Sequence, residues 1–214
     1  WFGEDASFIV PSRFDDIRNG IDGIIEFEEE QSHIHIGIAV DMTKSTEHLR
    51  EKFEAIKKSI DSGQLSRIKY FASGNIRGEL RNVPRAVVGA DQKTMEEVAQ
   101  LILSFKTTQK SLLENKKTNN LKPETVETLN SIFRKARERL GHHPLQLQLL
   151  LEINVQLEAF RNYAEKIGKP EVGKAYERVL SIIKKLLEIK SSEIENKDGI
   201  EGDEVHQMIM ERSK

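Results

Sequence analysis

The sequence predicts an α/β fold with a mixed central sheet of about four strands, a crossover helix and a C-terminal helical bundle or appendage. Short runs of β-branched residues cluster before residue 92, whereas the pattern after that residue is almost purely helical. The strand–helix–strand order over residues 33–72 further indicates a crossover connection within a mixed sheet.

The 214-residue chain is long enough for one domain with an appendage. We expect an α/β core over residues 1–92 and a helical region over residues 93–191 that packs on or beside it. The acidic and polar composition of the end of the chain predicts a disordered tail over residues 192–214. The chain begins at Trp1 rather than at methionine, and we expect an upstream region.

Composition excludes several classes of site. The formal net charge is −2, so nucleic-acid binding would need a local basic patch. The chain has no cysteine, which excludes disulfides, thiolate zinc sites and cysteine nucleophiles. The sequence contains no apolar run of the roughly 18 residues that span a bilayer. We therefore expect a cytoplasmic protein that does not enter the membrane.

Strands and one long helix alternate in the first part of the chain. The predicted elements, in order, are a short strand or extended segment at 8–10, a short helix at 12–18, strands at 21–28 and 33–41, a helix at 45–62, a strand at 68–72, a polar loop at 73–84 and a strand at 85–90. Residues 33–41 form the clearest strand, because isoleucine and valine alternate there with smaller or polar residues. Thr43 or Ser45 is the expected cap of the long helix.

Four helices are predicted in the second part, at residues 93–115, 124–140, 145–167 and 171–190. Pro123, Pro144 and Pro170 stand at the start of three of them, where proline fits best. The leucine-rich stretch at 145–157 suits a core helix, and the alternative is a groove for a protein partner or a second copy of the chain. Short loops favour antiparallel neighbours.

Two acidic residues lie at the ends of adjacent predicted strands, a position where acids are uncommon. If the hairpin turns near Glu30, Asp22 lies opposite Ala39 or Val40, and Asp41 is its diagonal neighbour. Glu26 shares the face of Asp22. Two or three such carboxylates suit Mg²⁺, which can activate water and stabilise charge on a phosphodiester.

Each of these acids also has an ordinary structural interpretation. Asp41 could cap the turn before the 45–62 helix, and Asp22 and Glu26 could be exposed strand residues. Both interpretations remain open at the level of sequence.

The order of acid-bearing strand, acid-ending strand, helix and strand over about residues 12–91 resembles the core of the PD-(D/E)xK nuclease superfamily, in a divergent bacterial branch. The resemblance implies that Asp22 and Asp41 bind Mg²⁺ and position water for hydrolysis of DNA or RNA. The family motif places lysine two residues after the second acid, but this chain has Thr43 there. Lys44, or Lys52 on the following helix, would then orient water or stabilise the transition state.

Arginines in the 77–85 stretch are candidate phosphate contacts, because guanidinium groups bind phosphate in a bidentate manner. They are Arg77, Arg81 and Arg85, and the alternative is a solvated loop with local ion pairs. The second function that the sequence allows is a catalytically inactive nuclease-like scaffold. Such a scaffold would act as an interaction or oligomerisation module through its C-terminal helices.

Overall fold

The computed structural model describes residues 6–29, 34–74, 77–118, 120–195 and 199–213. Within these residues the chain forms six strands and seven helices. The strands are β1 (Ala6–Ile9), β2 (Gly23–Glu29), β3 (Ile34–Thr43), β4 (Ser66–Ala72), β5 (Arg77–Val83) and β6 (Arg85–Gly89). The helices are α1 (Arg13–Asn19), α2 (Leu49–Ser62), α3 (Gln92–Thr118), α4 (Pro123–Gly141), α5 (Leu145–Lys166), α6 (Pro170–Glu193) and α7 (Glu204–Arg212).

The central sheet has the strand order β1-β2-β3-β6. Neighbouring strands are antiparallel from β1 to β3, and β3 pairs with β6 in parallel. Helix α2 lies on the crossover between these parallel strands, because a parallel pair needs a long connection. The predicted fold class, a mixed sheet of about four strands with a crossover helix and a helical C-terminal region, is confirmed.

The predicted strand at 68–72 belongs to a different sheet from the one expected. It lies in β4, which pairs with β5 in a separate two-stranded sheet. The polar loop predicted at 73–84 is therefore wrong for residues 77–83, which form β5. The apolar side of β5 is formed by Leu80 and Val83, and the charged residues on its outward side dominate the sequence pattern. The fourth strand of the central sheet is β1 instead.

The central sheet buries both of its faces. On one face, Ile25, Ile38 and Val40 join a large core that includes residues of α2, α5, α6 and α7. On the other face, Ile24 and Ala39 join a small core with residues of β4 and β5. Strands buried on both faces are apolar at nearly every position. This explains the continuous apolar runs of the sequence.

The helical region does not form a separate unit. Leu150 and Ile153 of α5 and Tyr176 of α6 are fully buried in the large core, whereas α3 and α4 form a hairpin. Phe105 and Phe133 stack between the two helices of that hairpin, with ring centroids 4.8 Å apart. The second half of the helical region thus completes the core of the α/β domain.

Residues of the predicted disordered tail form part of the folded core. Helix α7 lies within it, and Val205 and Ile209 are buried. Asp203 caps the helix by accepting a hydrogen bond from the backbone N–H of His206. The tail differs from its prediction because two apolar residues one helical turn apart outweigh its polar composition.

Helix α5 covers the free edge of β6 with polar side chains. The backbone N–H of Val87 donates to Gln156 Oε1 over 2.8 Å, and Gln156 Nε2 donates to the Val87 carbonyl over 2.7 Å. Gly89 bonds in the same way to Glu152 and Gln148, over 2.9 and 3.0 Å. Four residues of helix rise about 6 Å and two residues of strand about 6.6 Å, so the two repeats match. The edge of the sheet is therefore closed by side chains in place of a further strand.

Candidate active site

The pairing of β2 with β3 brings Asp22 opposite Asp41. Gly23 pairs with Val40, and the backbone N–H of Asp22, the residue before β2, donates to the Val40 carbonyl over 3.0 Å. The prediction placed Asp41 one step along the strand, as a diagonal neighbour. The observed register is shifted by one residue from a pairing of Asp22 with Val40, because Gly23 pairs with Val40 and Glu29 pairs with Ile34.

The Asp41 carboxylate lies between two basic side chains. It is 5% exposed, and its Oδ1 accepts a hydrogen bond from Lys52 Nζ. Its Oδ2 accepts a hydrogen bond from Arg85 Nη2 over 2.5 Å. Lys52 Nζ also donates to the Met42 carbonyl over 3.0 Å. Two carboxylates, one ammonium and one guanidinium therefore meet at the end of β3.

Asp22 is bound to the same segment of β3. Its Oδ2 accepts a hydrogen bond from the backbone N–H of Met42 over 2.7 Å. Burial raises the pKa of Asp22 above its ordinary value, and the neighbouring Asp41 carboxylate raises it further. The Met42 N–H and the Lys52 ammonium act in the opposite direction. Asp22 is half-buried and Met42 is exposed, so solvent reaches the pair from this end of the strand.

Arg85 connects the acid pair to α1. Besides Asp41, its guanidinium donates to the carbonyls of Asn19, over 3.1 Å, and Gly20. These carbonyls lie at the end of α1, where the helix has no further N–H groups to offer them. Arg85, predicted as a phosphate contact, is instead placed to hold the Asp41 carboxylate in position.

Of the two predicted lysines, Lys52 is the one that contacts the acids. Thr43 Oγ1 donates to the Ser45 carbonyl over 2.7 Å and accepts from its N–H over 3.3 Å, which starts a turn. Helix α2 consequently begins at Leu49, later than the predicted residue 45. Lys44 is exposed in this turn, and Lys52 lies in the first turn of the helix.

Three other predicted site residues lie away from the acid pair. Glu26 shares the face of Asp22, but four residues of strand separate them by about 13 Å. Its carboxylate accepts a hydrogen bond from Ser73 over 3.2 Å. Arg81 donates to Glu79, and Arg77 is exposed on the same β5 strand.

Asp15 of α1 is a further buried acid. Its carboxylate accepts hydrogen bonds from the backbone N–H groups of Lys69, over 2.8 Å, and Tyr70, over 3.1 Å. Ser12 and Asn19 donate to it as well. Burial raises the pKa of Asp15, but these hydrogen bonds outweigh it and leave the pKa below its ordinary value. The Ser-x-x-Asp spacing predicts the N-terminal cap of α1, but nothing in the local sequence predicts the contacts of Asp15 with β4.

No protein-family model, curated protein or solved structure matches the chain. Within the described part of the chain, no three His, Cys, Asp or Glu side chains are grouped to hold a metal ion. None of the described helices is long and apolar enough to cross a membrane. Of the three predicted metal ligands, Asp22 and Asp41 lie together, whereas Glu26 lies apart from them.

Proposed function

We propose that the chain is a divalent-metal-dependent, nuclease-like domain that hydrolyses phosphodiester bonds in DNA or RNA. The observation that carries this proposal is the apposition of Asp22 and Asp41 on adjacent strands, with the Lys52 ammonium on Asp41. The PD-(D/E)xK resemblance calls for two acids and a lysine at one strand end. Here Thr43 occupies the usual lysine position, and α2 supplies the ammonium group instead.

The two carboxylates fit Mg²⁺ by their chemistry. Mg²⁺ prefers oxygen ligands, keeps several of its waters and is commonly bound through one or two carboxylates plus substrate phosphate. Burial raises the pKa of Asp22 and the neighbouring Asp41 carboxylate raises it further, an arrangement that a cation stabilises. When bound, the ion would lower the pKa of a coordinated water and stabilise negative charge on the phosphodiester.

The basic side chains have different roles in this proposal. Lys52 is one-quarter exposed, with its ammonium at Asp41 and at the Met42 carbonyl, so it could hold a water molecule or a phosphate oxygen beside the acids. Arg85 is a positioning residue, because its two terminal nitrogens donate to Asp41 and to the carbonyls at the end of α1. It fixes the carboxylate that the reaction needs.

The test is cleavage of labelled single- and double-stranded DNA and RNA, with Mg²⁺ or with EDTA. Asp41→Ala should abolish Mg²⁺-dependent cleavage, whereas Asp16→Ala, which removes an exposed acid on α1, should leave it unchanged. Undiminished cleavage by the Asp41 variant would contradict the proposal.

A second variant separates loss of activity from loss of folding. Asp41→Ala leaves Lys52 and Arg85 without their shared carboxylate, which can destabilise the fold. Asp22→Asn keeps an oxygen for the Met42 N–H but removes the charge. It should melt close to the wild-type temperature and still be inactive.

The alternative function, an inactive scaffold that self-associates, is favoured by one observation. The α3–α4 hairpin exposes large apolar side chains, among them Ile102, Leu103, Leu113 and Ile132. Such exposure marks a surface that another chain covers. This alternative predicts no Mg²⁺-dependent cleavage, a mass that rises with concentration, and a monomer after Leu103→Glu. A wild-type monomer at all concentrations would contradict it.

A further inference from the structure

The outward side of the β4–β5 hairpin concentrates positive charge. Residues 66–83 contain four basic side chains, Arg67, Lys69, Arg77 and Arg81, and one acidic side chain, Glu79, so the segment carries +3 in a chain of net charge −2. The four basic residues are exposed, and Glu79 forms ion pairs with Arg67 and Arg81. The local basic patch that the overall composition does not provide is therefore present here.

Two exposed aromatic rings lie beside this charge. Phe14 of α1 is 41% exposed and Tyr70 of β4 is 55% exposed. Their rings meet edge to face with centroids 5.6 Å apart. Lys69 Nζ lies 5.0 Å from the Phe14 ring centroid and 5.1 Å from that of Tyr70. An ammonium and two rings thus share one small area of surface.

A buried carboxylate builds this surface. The β4–β5 register shifts between Ile68 and Phe71, which are both buried, so the two residues between them both face outward. A strand of regular alternation would turn one of the two inward. Asp15 accepts hydrogen bonds from the N–H groups of Lys69 and Tyr70 and so fixes this bulge. Bulges commonly redirect side chains near functional sites.

The same short helix joins this surface to the acid pair. Phe14 lies at the start of α1, and the Gly20 carbonyl at its end accepts from Arg85, which also bonds to Asp41. Six residues of helix rise about 9 Å. A bound strand could therefore reach from the aromatic rings to the carboxylates over a short distance.

We propose that the surface formed by Phe14, Arg67, Lys69, Tyr70 and Arg81 binds single-stranded nucleic acid. The rings stack on unpaired bases, and the basic side chains contact the phosphates. Basic side chains combined with exposed aromatic rings are the usual means of binding single strands, and a duplex hides the faces of its bases. The inference deepens the proposed function and rests on it for the fate of the strand. Binding itself is measured without cleavage.

The test is fluorescence anisotropy with a fluorescein-labelled 15-nucleotide oligo-dT in EDTA, beside the same strand annealed to its complement. Tyr70→Leu should weaken binding to the single strand by about 5- to 150-fold, the range measured for loss of one stacked base. Tyr70→Phe, which keeps a ring, should bind as the wild type does. Lys69→Ala should reduce the slope of log affinity against log salt by about 0.7, the value for one phosphate contact on a single strand.

A matched control exists on another face of the protein. Lys57 Nζ lies 4.9 Å from the ring centroid of Tyr163, in a pair whose lysine is exposed and whose ring is half-buried, without neighbouring basic strands. Lys57→Ala should leave both the affinity and the salt slope unchanged. An equal effect of the two lysine substitutions would overturn the inference, because it would indicate a non-specific response to net charge.

Three further results would overturn the inference: wild-type affinity of the Tyr70→Leu variant, equal affinity for the duplex, or equally effective competition by polyglutamate. The last result would indicate an acidic protein as the ligand. Tyr70-dependent binding without Mg²⁺-dependent cleavage would support this inference and contradict the proposed nuclease. Cleavage that depends on Asp41, without Tyr70-dependent binding, would do the reverse.

Discussion

Replacing Gln156 with leucine should destabilise the protein at the edge of the sheet. The Gln156 side chain is fully buried and serves both the N–H and the carbonyl of Val87. A buried polar group that loses its partner costs about 1–3 kcal/mol, so two such groups cost about 2–6 kcal/mol. Burying an apolar leucine side chain offsets about 1.5–3 kcal/mol of this loss. We therefore expect a net loss near 2 kcal/mol in the free energy of unfolding.

The measurement is urea unfolding followed by circular dichroism, with the midpoint and slope compared between variants. Gln109→Leu, at an exposed position on α3, is the control and should change stability by less than about 0.5 kcal/mol. A Gln156→Leu variant as stable as the wild type would refute the reasoning. That result would mean that water or a shifted side chain satisfies the edge of β6.

Three further substitutions have directional outcomes. Asp15→Asn weakens the contact between α1 and the β4 bulge. Because the pKa of Asp15 is lowered on folding, the ionised carboxylate stabilises the fold above about pH 4, and this stabilisation is lost as the pH falls. The Asp15→Asn variant should therefore lose less stability than the wild type between about pH 5 and pH 2 in urea unfolding. Burial raises the pKa of Glu152 to about 7, so the folded state keeps this carboxyl protonated. The stability that this carboxyl contributes is therefore highest below about pH 4.5 and declines as the pH rises towards 7. Glu152→Gln should flatten that decline in urea unfolding measured at each pH; an unchanged decline would assign it to another group. Lys52→Met removes a cation that lowers the pKa of Asp22, so carboxyl NMR should record a higher pKa for Asp22; an unchanged value would contradict the observed arrangement.

The strands of the central sheet could be predicted because their patterns are local. Alternation in residues 21–28 and 33–41 predicted both the hairpin and the shared face of Asp22 and Glu26. A strand at residues 68–72 was predicted, but its β5 partner was missed because the apolar side of β5 is short, and a bulge at Lys69 and Tyr70 interrupts the pairing of the two strands. Alternation identifies a regular strand but fails where two successive residues face outward.

Long-range contacts in the site had no sequence signal. The approach of Lys52 to Asp41 depends on where α2 begins, and the turn around Thr43 delays that start to Leu49. Arg85 was interpreted as a phosphate contact because arginine binds phosphate in a bidentate manner. Its placement on Asp41 follows only from the parallel pairing of β3 with β6.

The polar ladder on α5 was hidden in the most apolar helix of the chain. Gln148, Glu152 and Gln156 recur at every fourth position, which on its own predicts a solvated stripe. They are buried because the free edge of β6 presents two residues whose backbone groups need partners. Only the tertiary structure shows that these three polar side chains face strand β6 and not the solvent.

Titration of Mg²⁺ by calorimetry tests the central claim most directly, that Asp22 and Asp41 act together as one cation site. The wild type should bind one ion, and both Asp22→Asn and Asp41→Asn should weaken that binding at least about tenfold, a loss of about 1.4 kcal/mol. Glu26→Gln, a charge change on the same face but about 13 Å along the strand, should bind as the wild type does. Absence of Mg²⁺ binding by the wild type, or equal loss in the Glu26 variant, would contradict the claim.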